Sequence, residues 1–358
     1  MFDNSALAGD IADAAHSFFA AAWTTDRVHA LENAMPFPAD VWEGTAELGW
    51  HDLLTPESHG GAGLGIAEAS PILEAAGYHL HVGPLLETML GRRLLALAGT
   101  EPTAAAIVTL ALDDADTGNP SVPDLTLRRD GAISGDKKAV PFADIAEIVI
   151  VSVREGDATL LLAVDPRTGG VTTHTLRSAD RVMRVADLDL NGVLPLGVLA
   201  AGPEAEGAVR ELTDTATALV SRRALGVMEM LLELSVTYAQ QRHQFGRPIG
   251  SFQAVQHRLA DMAAVVVASR SVCRAAEAAV AASGGDSGSR VRVAKAYVSR
   301  AVRSVAEHAL QIHGGIGFTD EHSLHLYYKH GLSLASIWGT ADEHEEYLAS
   351  LAITRAAR

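Results

Sequence analysis

The chain has 358 residues, 48% hydrophobic and 20% charged, which excludes a disordered polymer and exceeds what one core organises, so two or three packed units are expected. Its formal net charge of -16 excludes nucleic acid as the main partner, because phosphate binding needs clustered Lys and Arg. No uncharged apolar run approaches the ~18 residues of a membrane span, no basic and apolar block opens the chain as a secretory signal, and the lone Cys273 excludes a disulfide framework. The expectation is a soluble, cytoplasmic protein with Cys273 buried in a helix.

From Ser5 to about Leu97 the pattern is helical, with Leu7, Ile11, Ala14, Phe18 and Phe19 along one face. Pro36 and Pro38 break it, a second segment spans residues 41–54, and Gly60 to Gly65 forms a turn before a helix over 66–76. Near residue 104 the composition changes to short Val, Ile, Leu and Thr runs, and strands are expected at 106–112, 125–129, 145–153, 158–164, 171–176 and 184–190. These do not alternate with ten-residue helices, so a parallel Rossmann sheet is not expected. After Pro203 helices return at 209–242, 252–282, 290–313 and about 341–357, with a Gly/Ser connector at 283–289. The reading is an α+β chain in three parts: an N-terminal helical domain (1–103), a middle antiparallel β domain (104–202) and a C-terminal four-helix bundle (203–358).

Three stretches carry a family likeness together: Trp42-Glu-Gly-Thr-Ala-Glu-Leu-Gly-Trp50, Tyr238-Ala-Gln-Gln-Arg-His-Gln-Phe-Gly-Arg-Pro-Ile-Gly-Ser-Phe-Gln-Ala-Val-Gln256, and Gln311-Ile-His-Gly-Gly-Ile-Gly-Phe-Thr-Asp320. With the weaker Ile133-Ser-Gly-Asp-Lys-Lys-Ala-Val140, they resemble the acyl-CoA dehydrogenases over nearly the whole chain and in that family's order. The resemblance implies FAD held between subunits, a CoA thioester as substrate and an electron-transfer flavoprotein as acceptor. It assigns Arg242, Gln244 and Phe245 to the pyrophosphate and flavin end, Gln253 to adenine, and Gln311, Gly314, Gly315 and Thr340 to further cofactor contacts. The residue chemistry agrees: a guanidinium pairs bidentately with phosphate, and glycines admit close backbone approach. Local positive charge at Arg242, Arg247 and Lys329 offsets the acidic average.

The pattern fails where the chemistry is most demanding. Removing the proton beside a thioester needs a carboxylate base, which the family places just before Gly-Thr. Here that run reads Ser336-Ile-Trp-Gly-Thr340, with Trp338 in the base's position. The alternative site on the first bundle helix falls on Ala216. The nearest acids are Glu211, Asp214, Asp342 and Glu343, and on helices such acids usually solvate a face or balance the dipole. Asp342 and Glu343 are the candidate bases that remain. Flavin contacts of the β domain are also altered, at 110–118 and at Pro141-Phe-Ala143.

The losses resemble the shorter subunit of α2β2 bacterial sterol side-chain enzymes, in which one chain supplies the base and the other completes the FAD site. Two alternatives stay open: a self-sufficient dehydrogenase with a displaced acid, and a CoA-ester binding scaffold without redox chemistry. No metal is expected, since the histidines at 313, 322, 325, 330 and 344 lack ligand spacing. The small residues Gly331, Ser333, Ala335 and Ser336 either leave room for a bulky acyl chain or permit close helix packing.

Overall fold

The computed structural model describes residues 4–31, 37–112, 125–282, 287–319 and 322–356. Five helices come first: α1 (Asn4–Ala22), α2 (Thr25–Ala30), α3 (Ala39–Glu47), α4 (Ile66–Tyr78) and α5 (Leu85–Leu97). The sheet follows, with β1 (Val108–Ala111), β2 (Thr126–Leu127), β3 (Ile133–Pro141), β4 (Ile148–Glu155), β5 (Ala158–Val164), β6 (Val171–Thr175), β7 (Val185–Val193) and β8 (Gly197–Ala201). The bundle is α6 (Pro203–Gln241), the two-stranded hairpin β9 (His243–Gln244) and β10 (Arg247–Pro248), then α7 (Gln253–Ala281), α8 (Ser287–His313), α9 (Leu324–Ser336) and α10 (Ala341–Ala356). Of the sequence features named above, residues 113–124, which hold most of the altered flavin loop, and 283–286 of the Gly/Ser connector lie outside the described residues.

Each boundary has a local cause. Proline at the first position of α6 starts that helix without wasting an N–H, and Glu204 and Glu206 favour its positive end. Trp42 is buried in α3, and its indole donates to the Ala105 carbonyl at 2.8 Å, tying the helical layer to the first strand. In β5 every residue but Ala158 is buried, as expected of a strand covered on both faces.

Two expectations are corrected. The sheet, ordered β6-β7-β3-β2-β4-β5-β8 with β1 on β4, is mixed rather than antiparallel, because β1 and β2 both run parallel to β4. A parallel pair needs a long crossover, and the chain between β1 and β4, which carries β2 and β3, provides it. The C-terminal part has five helices among the described residues, since α9 joins the four expected. Gly331 weakens the helical signal of α9, yet a Cβ there would come within 2.8 Å of Val302 Cγ2 on α8. Gly331 therefore serves close packing rather than cavity space. The sequence also hides β3, whose alternation is interrupted by an irregularity between Lys137 and Val140, and β8, whose Val198 is exposed.

The tightest joint lies between α4 and α6. A Cβ on Gly77 would fall 2.0 Å from the Arg223 carbonyl oxygen, and one on Gly226 would fall 1.9 Å from that of Glu74. Beside this crossing Glu74 is buried against Arg222 and accepts from Arg270 at 2.8 Å, with Glu277 3.5 Å from Arg222. Overpacking such a contact costs roughly 1–3 kcal/mol. Gly226→Ala is therefore expected to lower the unfolding free energy by that order, read as a lower urea midpoint with little change in slope, whereas Gly207→Ala, at a helical site facing open space, leaves the midpoint in place or raises it.

Candidate active site

The first group of residues gathers at one end of the bundle. Helix α6 ends at Gln241, the Arg242 N–H still donates to Tyr238 O at 2.8 Å, and the chain turns back through β9 and β10. The turn holds Phe245 and Gly246 at φ +52° and +79°, the left-handed pair a two-residue hairpin requires. This geometry throws the Phe245 ring into solvent, 92% exposed, with only an edge contact to Phe252 at 6.1 Å. Arg242, Gln244 and Gln253 are exposed beside it, and Arg242 has no ion-pair partner among the described residues. Arg247, by contrast, lies over the Phe252 ring at 4.2 Å.

Gln311 and the turn at Gly314 and Gly315 reach the same end. His313, the last residue of α8, stacks on Tyr238 near the end of α6 with ring centroids 4.4 Å apart. Gly314 has φ +63°, and both glycines are exposed. Six of the expected cofactor residues are thus displayed on adjoining helix ends, with Gln253 at the start of α7 beside the hairpin. The stack that joins the two ends was not foreseen, although Tyr238 stood inside the recognised motif.

The second group surrounds a cleft of about 380 Å³ between the sheet and the end of α9. Leu110 to Leu112 line it from β1, Lys138 to Pro141 from β3, Met183 and Val185 from β7 and its approach, and Ser333, Ser336, Ile337 and Trp338 from α9 and the turn beyond. Among the described residues no Asp or Glu lines it. Trp338 sits at φ +59° and Gly339 at φ +94°, and His344 Nε2 donates to the Trp338 carbonyl at 2.9 Å, fixing the turn. Burial drives His344 down to about 4, so it remains neutral.

The two candidate bases are engaged elsewhere. Glu343 accepts from the Thr340 N–H at 2.6 Å and from its hydroxyl at 2.9 Å, while the Glu343 N–H donates to Thr340 Oγ1 at 3.3 Å. This is a reciprocal cap on α10, and the two Thr340 hydrogen bonds hold the Glu343 carboxyl below its usual pKa. Asp342 is exposed and pairs with Arg300 at 2.8 Å. Glu211 pairs with Arg93 at 2.6 Å, and Asp214, raised by burial, accepts from Ser287. Thr340, expected among the cofactor contacts, lines a separate cleft with Ser299, Arg303 and Asp342.

Several buried polar groups support the cleft, and none was anticipated. His330 on α9 donates through Nδ1 to Asp180 at 2.9 Å, linking α9 to the loop before β7. Lys295 on α8 is fully buried and donates to the Leu334 carbonyl at 2.6 Å, holding the end of α9. Burial lowers its pKa to about 7, against the opposing field of Glu343. A lysine within the apolar stripe Val291, Ala294, Val298 was the available signal. Cys273 is buried as expected and is pushed up to about 12 by burial. Among the described residues no group of three His, Cys, Asp or Glu could hold a metal, and no helix is long and apolar enough to cross a membrane.

Comparison with known proteins matches residues 8–109 to the N-terminal domain of acyl-CoA dehydrogenases and residues 208–350 to the C-terminal domain. The chain is 31% identical over 316 residues to acyl-CoA dehydrogenase IpdE2 of Mycolicibacterium smegmatis, covering 88% of each. It is 32% identical over 305 residues to the protein of the same name in Mycobacterium tuberculosis, covering 84% of this chain and 82% of that one. Among solved structures it superposes on the Tcur3481-Tcur3483 steroid ACAD with a TM-score of 0.89 at 28% identity, covering 99% and 100% of the two chains. The ChsE4-ChsE5 complex from Mycobacterium tuberculosis matches with a TM-score of 0.86 at 25% identity, covering 96% of each.

Lys295 makes stability depend on pH in a definite direction. Unfolded, it keeps its proton to about 10.5; folded, it releases it near 7, so between these values the unfolded state binds more protons and stability rises with pH. The burden is fully present below about pH 7. Thermal midpoints between pH 6.5 and about 9.5 are expected to rise in the wild type and to rise less in Lys295→Met.

Proposed function

The chain belongs to the acyl-CoA dehydrogenase family, and we propose that within it this subunit completes an FAD site whose catalytic carboxylate comes from a partner chain of the same fold. The observation that carries this reading is a division within the molecule. One end of the bundle displays Arg242, Gln244, Phe245, Gln311 and Gly315 to solvent with little to hold among the described residues, while none of the described residues puts a carboxylate on the walls of the cleft beside α9.

The exposed residues fit a dinucleotide held between chains. Arg242, without an ion-pair partner among the described residues, would neutralise pyrophosphate; Gln244, Gln253 and Gln311 would donate and accept at its polar edges; Gly314 and Gly315 would admit the ligand to their backbone. Phe245 exposes an apolar ring that contact with flavin or with a partner surface would cover. When bound, FAD supplies the hydride acceptor for oxidation of the acyl chain. This chain's residues bind and orient the cofactor, and the proton beside the thioester goes to the partner's base.

The names of its relatives support both a second subunit and a bulky acyl group: one solved neighbour is a steroid ACAD and another is a two-component complex. We take residues 1–103, 104–202 and 203–358 as its three units, and electron-transfer flavoprotein as the acceptor by family analogy. The capping role of Glu343 and the ion pair of Asp342 count against a displaced base in this chain.

The test is the visible spectrum of the chain alone and co-expressed with the product of its neighbouring gene, with and without CoA thioesters. Flavin colour that bleaches with substrate is expected only in the complex, with Arg242→Met lowering its FAD content several-fold. A single chain that is yellow and bleached by a CoA thioester defeats the reading.

A further inference from the structure

A further cavity, of about 220 Å³, lies between the N-terminal helical layer and the segment that leads from β6 to β7. Leu31, Phe37 and Val82 form its apolar wall, and Arg177, Arg181 and Arg184 stand around it. Three arginines at one small hollow are out of keeping with a chain whose formal net charge is -16.

These charges are not spent alike. Arg184 is paired with Asp144, its Nε 3.0 Å from the carboxylate. Asp180, the one acid on the wall among the described residues, is already saturated: one oxygen accepts from the Val182 N–H at 2.9 Å and the other from His330 at 2.9 Å. Its side chain is 2% exposed, so it offers little to a ligand in the cavity. Arg177 and Arg181, by contrast, are exposed and have no hydrogen-bond or ion-pair partner among the described residues. Between them Ser178 accepts from the Asp180 N–H at 3.1 Å, which leaves its hydroxyl hydrogen to donate. Like charges gathered at one rim repel each other until an anion joins them.

We infer that this cavity binds a small carboxylate with an apolar body, its charge met by Arg177, Arg181 and the Ser178 hydroxyl and its body lying against Leu31, Phe37 and Val82. A planar guanidinium matches a carboxylate with two parallel hydrogen bonds, whereas a bare inorganic anion leaves the apolar wall uncovered. The volume is below the roughly 300–1,000 Å³ of sites that take drug-sized ligands, which limits the body to a short chain or a single ring. The site uses none of the residues at the bundle end, so it does not rest on the partner-completed reading. It shares Ser178 and Met183 with the larger cleft, and an occupant therefore bears on one wall of that cleft.

The test is calorimetry of the full chain with 3-phenylpropionate, with its uncharged amide and with inorganic phosphate. The carboxylate is expected to bind, and the amide to bind about tenfold more weakly or worse, the order of one hydrogen bond to a charged group. Arg177→Met and Arg181→Met are each expected to weaken the carboxylate about tenfold. Arg128→Met, which removes an exposed guanidinium elsewhere on the sheet, leaves binding unchanged. Thermal midpoints of the Arg177 and Arg181 variants should stay at the wild-type value, which separates lost binding from lost folding. Absence of carboxylate binding to the wild type at millimolar concentration overturns the inference, as does equal affinity in the doubly substituted chain. Amide or phosphate binding as tightly as 3-phenylpropionate overturns it too, and both comparisons are made on the wild type.

Discussion

The contact on which this structure depends is the crossing of α4 and α6 at Gly77 and Gly226, where each helix backbone lies against the other with no room for a side chain. It decides how the N-terminal helices sit on the bundle. Close backbone approach also brings the residues beside each glycine into fixed register. Glu74 meets Arg222 and Arg270 on one side, and Arg223 reaches the His81 carbonyl at 2.7 Å on the other. Charges this deeply buried are costly when a partner is lost, so they penalise any slip of the crossing rather than adding much net stability.

From that joint the rest follows by connection. Helix α6 spans 39 residues, so its orientation carries from the sheet to the far hairpin. Its C-terminal end presents Arg242 and Phe245, and the Tyr238–His313 stack sets the end of α8 beside them. Helix α9 is held on its inner side by Lys295 and His330, which places the Trp338 turn over the sheet. The chain therefore has two chemically different regions on one framework: an exposed, polar, nucleotide-like face and a half-enclosed apolar cleft. The arrangement suits a subunit whose binding residues serve across an interface.

The family motifs were legible because they are contiguous and carry residue types with few other uses: glycines at positive φ, an arginine beside a hairpin turn, a glutamine at a helix end. The change at residue 104 was equally legible, since strand and helix composition differ there. The parallel pairing of β1 and β2 with β4 was not, because pairing direction depends on where a strand returns in space and its local pattern is the same either way. Helix α9 was missed for the glycine that packing requires, and β3 for the irregularity that interrupts its alternation.

The sequence by itself determined the family, the order of helices, strands and helices, and the identity of Trp338 at the position where the family resemblance leads one to expect a carboxylate. These are properties of residue identity and order. Only the tertiary structure decided that Asp342 and Glu343 are spent on an ion pair and a helix cap, that Lys295 is buried, and that Trp338 borders a cleft while its buried indole N–H finds no acceptor among the described residues. Such facts depend on which atoms lie within about 3 Å of one another across distant parts of the chain, and on the water excluded between them, which spacing along the sequence does not record.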